Sequence, residues 1–186
     1  AAAHAQVRDW NGGSGSWHSA LNWSPNDVPD TAGEIAQVVA PGAYTIAVSS
    51  TTTVGSIQAA NLNATIAVSP GIELRLVGSS TNSSVILVNS TGANSGTLLR
   101  VLNPLLLDGI GHVRLNANPG NLNSAFIADN GGGQTLTNGV SHKILGVGVV
   151  YGNLVNDGEV TADVSGARLD LNGPTKTNNG TFRAQG

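Results

Sequence analysis

The sequence has no cysteine and no methionine. The first absence rules out disulfides, thiolate metal sites and cysteine catalysis. The second means that residue 1 is not an initiator, so a removed leader is expected. Charge is scarce, at 10% of 186 residues, against about 25% in an ordinary globular domain. The formal net charge is −3, and Lys143 and Lys176 are the only lysines. That balance offers no basic surface for nucleic acid. Aromatic residues make up 4%. No run approaches the roughly 18 apolar residues of a membrane helix, so no membrane insertion is expected. Leucine heptads with flanking charge are missing too, which excludes a coiled coil.

What remains is 40% hydrophobic, with 25 glycines and 20 asparagines. This is enough for a core and too apolar for a typical disordered chain. Gly, Asn, Pro or Ser/Thr clusters interrupt the chain too often for helices of ordinary length. The apolar residues instead alternate with polar ones. Ile72, Leu74 and Leu76 flank Glu73 and Arg75, Val113 and Leu115 flank Arg114, and Leu169 and Leu171 flank Asp170. Period-two alternation describes strands with one buried face. The fold class read from this pattern is all-β.

Two internal repeats narrow the architecture. Thr45-Ile46-Ala47-Val48-Ser49 returns as Thr65-Ile66-Ala67-Val68-Ser69. Asn156-Asp157-Gly158-Glu159-Val160-Thr161-Ala162 is echoed by Asn178-Asn179-Gly180-Thr181-Phe182-Arg183-Ala184. Offsets of 20 and 22 residues suit one supersecondary unit of a solenoid. A single-domain parallel β-helix is expected, with a β-sandwich or jelly roll as the alternative. In a β-helix, each coil stacks about 4.8 Å above the last and the interior is too narrow for many rings. Residues 1–9 are expected as an extended arm, 10–39 as a Trp/Gly-rich cap, and 40–186 as about seven coils, roughly 34 Å long. Asn156 and Asn178 would form an amide ladder at one corner, where asparagine and glycine tolerate left-handed backbone. Asn103-Pro104 would make another corner.

All three tryptophans fall in one segment. It reads Trp10-Asn11-Gly12-Gly13-Ser14-Gly15-Ser16-Trp17, then Asn22-Trp23-Ser24 and Pro29. This pattern resembles the head of secreted bacterial autotransporter-like and surface-anchored β-helical repeat proteins, and the later Asn-x-Gly turns are similar to their repeats. The resemblance implies a right-handed β-helix outside the cell with a structural or adhesive role. No translocator barrel or sorting tail is visible, so only the passenger-like architecture is implied. From the residues alone, Trp10, Trp17 and Trp23, with Asn22 and Pro29, are expected to plug the first coil, because solenoids need caps. Exposed tryptophans would instead stack on sugars, which makes a polysaccharide a candidate partner.

The far end, residues 177–186, shows no aromatic plug: either the protein continues beyond it or another molecule covers it. If the head of one copy covered the tail of the next, contacts would be heterologous and could run on as a filament. The first residues could also add a strand to a neighbour. The expected function is therefore an extracellular structural protein, a self-assembling surface or filament subunit joined head-to-tail. An adhesin or carbohydrate-binding module is the alternative, and a polysaccharide lyase or hydrolase a more remote one. Ala3-His4-Ala5 fits the pattern before a signal-peptidase cut and points to export.

Chemistry is not expected. The acids are scattered, and Asp163 and Asp170 would be the residues to test for a lyase. His4, His18, His112 and His142 have no metal-ligand spacing. Asp27, Asp30 and Glu34 could reach a calcium ion but lack the EF-hand pattern. No catalytic residue, metal or cofactor is assigned. Gly146-Val147-Gly148 matches no dinucleotide fingerprint and reads as close strand packing.

Overall fold

The computed structural model describes residues 5–185. Strands make up 52% of it, and among the described residues the only helical elements are the 3-10 turns Ala20–Asn22 and Leu122–Ser124. The strands form three parallel stacks, which the chain visits in rotation.

The first stack begins with Gln6–Trp10, Glu34–Val38 and Ser56–Ala59. It continues through Ser80–Asn82, Leu105–Asp108, Thr135–Asn138, Asn153–Asn156 and Lys176–Asn178. Its outer edge at the head is Trp23–Ser24, which pairs antiparallel with Asp9 and Trp10. The second stack starts at Gly15–Ser16 and Tyr44–Val48, and ends at Glu159–Ala162 and Thr181–Ala184. The third runs from Thr52–Val54 to Leu169–Asn172. Lys143–Tyr151 belongs to both the second and the third, joining them in one sheet of thirteen strands. Apart from that head pair, the ladders between these strands are parallel, whereas the sheets of a sandwich are antiparallel.

Register follows the sequence repeats. Thr45–Val48 lies residue for residue beside Thr65–Val68, Asn156 beside Asn178, and Glu159–Ala162 beside Thr181–Ala184. A one-residue slip would turn every buried side chain outward, so the alternation enforces this register. Like residues consequently stack on like. Ile46, Ile66, Ile86, Val113, Ile144 and Val160 form one buried column, and Leu74, Leu99, Ile127 and Val150 another.

Of the expected arm, residues 1–4 lie outside the described residues, and with them His4 and most of the Ala3-His4-Ala5 pattern. Gln6–Trp10 pairs in parallel with Glu34–Gln37, so it is a strand of the first stack. Gly146 shows why Lys143–Tyr151 can cross from one stack to the next without a loop. Its φ of +106° bends the strand, and a Cβ there would meet the Leu115 carbonyl at 2.1 Å.

Candidate functional site

Three places gather polar chemistry or unusual packing: the tryptophan head, a column of amides inside the first stack, and a slot on the outer surface.

At the head, Trp17 and Trp23 are fully buried and Trp10 is 2% exposed. Trp23 stands edge-on to Trp10 at 5.0 Å and to Trp17 at 4.9 Å, the geometry the ring quadrupole favours. Each indole N–H has a carbonyl acceptor: Trp10 to Gly13, Trp17 to Pro29, and Trp23 to Trp17 at 2.7 Å. Asn22 Nδ2 donates to the Ser16 carbonyl at 2.9 Å and holds the Gly-rich loop. The five head residues named from the sequence are thus brought together. Their burial removes the sugar-stacking reading of the tryptophans, because no ring face is open to a ligand.

Beside them, Arg8 pairs with Asp27 at 2.6 Å and Glu34 at 2.8 Å. Glu34 also accepts from the Asp30 and Thr31 amides. Two of the three carboxylates considered for calcium therefore already face a guanidinium, and Glu34 acts as a loop clamp. Among the described residues, no group of three potential ligands converges on a metal position.

The amide column is longer than the sequence suggested. Asn156 Nδ2 donates to Asn178 Oδ1 at 2.7 Å, and Asn138 Nδ2 donates to Asn156 Oδ1 at 2.7 Å. Beyond Asn138 the residue in register on the neighbouring strand is Leu107, which has no polar group to continue the column. The buried His142 ring carries the hydrogen bonds on instead. Its Nδ1 lies 2.7 Å from Asn138 Oδ1 and its Nε2 lies 3.3 Å from Asn82 Nδ2. Asn82 is held by accepting from the Ser84 amide and donating to the His112 carbonyl. The ring must then donate through Nδ1 and accept through Nε2, which fixes a neutral tautomer. Burial, reinforced by the nearby His112, lowers its pKa to about 4. Gly158 completes the corner, since a Cβ there would lie 2.2 Å from the Gly139 carbonyl. Asn82, Asn138 and His142 were not singled out from the sequence. The Asn138-Gly139 turn was the available signal; nothing local marks His142.

Four of the acids outside the head are ion-paired. Asp163 binds Arg114 at 2.5 Å, Asp170 binds Arg168 at 3.1 Å, and Glu159 binds Lys143 at 3.1 Å. Glu73 sits between Arg100 and Arg75, each at 2.7 Å. The Arg100 hydrogen bond, with help from Arg75, holds its carboxyl at about 2.

The chain matches no protein-family model, no curated protein and no solved structure. No helix is long and apolar enough to cross a membrane among the described residues.

Proposed function

We propose that this chain is a structural protein of the cell surface or extracellular space. In this reading it is a right-handed parallel β-helix, capped by its tryptophans, whose copies join head-to-tail. The rotation of the chain through three in-register parallel stacks supports the β-helix. The head motif supports export.

One observation carries the self-association: the apolar face and free strand edges presented by residues 159–184. Among the described residues, nothing pairs with the outer edges of Lys176–Asn178, Thr181–Ala184 and Leu169–Asn172. Thr181–Ala184 and Leu169–Asn172 flank a largely apolar hollow of about 380 Å³ lined by Val160, Leu169, Leu171 and Phe182. Phe182 continues the buried Ile46–Val160 column but is 41% exposed. An apolar face with free strand edges is an association surface, for a further coil or for a second copy. Covered by a second copy, heterologous stacking extends without closing.

A second arrangement has its own support. The outermost head strands, Gly15–Ser16 and Trp23–Ser24, are two residues long, and short edges blunt strand addition. Two tails could then pair with each other and stop at a dimer. Sedimentation velocity with negative-stain electron microscopy separates the outcomes. Filaments that lengthen with concentration support head-to-tail joining. A discrete dimer favours the tail-to-tail form, and monomers at every concentration overturn self-association altogether.

A further inference from the structure

The corner between the second and third stacks is uneven. Residues 89–96 and 117–124 bulge outward there on successive passes, Lys143–Tyr151 crosses with no loop, and residues 163–168 bulge again. The missing loop leaves a slot between 117–124 and 163–168. Its walls stand two strand spacings apart, about 9.6 Å centre to centre. It is an open, polar cavity of about 720 Å³.

The slot is polar and built. Asn123 and Asn172 line it with exposed amides that have no hydrogen-bond partner among the described residues. Asp170 and Arg168 line it as an ion pair, so the slot carries no net charge. The 117–124 wall is braced: the Asn118 amide donates to Ser124 Oγ at 2.8 Å, and Asn121 Nδ2 reaches the Asn94 carbonyl on the preceding loop.

We infer that this slot binds a segment of a neutral polysaccharide. An apolar ligand would leave the Asn123 and Asn172 amides unpaired, which costs free energy. A uniformly charged polymer finds both signs there and gains nothing from their sum. A neutral glycan presents dense hydroxyls that both donate and accept, and one extended chain fits between the walls. The site is independent of the buried tryptophans and of the open tail.

Affinity electrophoresis of the full chain tests this, in gels containing hydroxyethyl cellulose, arabinoxylan, galactomannan or dextran, with polygalacturonate as the charged control. Retardation by at least one neutral polymer is expected. The double variant Asn123→Ala/Asn172→Ala should bind that polymer at least fivefold more weakly, with an unchanged circular dichroism spectrum. Phe182→Ser should bind like wild type, so a failure of self-association leaves this result readable. No retardation in any neutral gel, retardation by polygalacturonate alone, or full affinity in the double variant would overturn the inference.

Discussion

The two ends of the molecule solve the same problem differently. Each pass of the chain leaves strand edges and an apolar interior for the next pass to cover. At the head, three indoles fill the interior, every indole N–H is bonded, and Trp23–Ser24 lies across the first edge. At the tail, the same column of side chains ends in a half-exposed phenylalanine and every residue of Thr181–Ala184 is exposed. The amide column repeats the contrast, with Asn138 and Asn156 buried and Asn178 exposed. Stability should therefore concentrate at the head and middle, and association at the tail.

The largest expected effect sharpens that contrast at the head. Trp23→Ala removes a ring packed on two others and should cost about 3–5 kcal/mol in denaturant unfolding. Loss of less than about 1 kcal/mol would mean that the head is not a sealed core.

Next in size is the effect of pH through His142. Its pKa is lower in the folded chain than its ordinary 6.5, so the unfolded chain takes up the proton first as pH falls. Its contribution is therefore complete above about pH 6.5, declines down to about pH 4, and is constant below. The loss amounts to about 3 kcal/mol. His142→Gln should flatten this slope, measured as unfolding midpoint against pH.

Asn156→Ala should cost about 2 kcal/mol, because it removes four hydrogen bonds at the buried Asn156, one accepted from Asn138 Nδ2 and three donated onward. Asn178→Ala, at the exposed end, should cost under about 1 kcal/mol. Equal losses, read by thermal unfolding, would break the comparison between the interior and the tail. Smallest in stability is Phe182→Ser, at under about 1 kcal/mol, yet it should abolish concentration-dependent sedimentation.

Much of this was legible in the sequence, for a physical reason. Thr45–Val48 and Thr65–Val68 are adjacent in space because equal offsets place equal side chains on equal positions of neighbouring strands. The tryptophans were visible as a cluster, but burial and sugar stacking leave the same letters, and only the packing of Trp23 between the other two rings separates them. His142 was not legible, because its role depends on bridging Asn138 to Asn82 on a strand two positions away, where the in-register neighbour of Asn138 is the apolar Leu107. The slot was hidden likewise, since it is made by the loop that Lys143–Tyr151 does not have.

Amide hydrogen exchange resolved by residue, at low and high protein concentration, tests the account most directly. The amides of Trp10, Trp17 and Trp23 should be strongly protected throughout, while those of Thr181–Ala184 exchange rapidly in dilute solution and become protected as concentration rises. Tail amides that exchange rapidly at every concentration would contradict a tail covered by another copy.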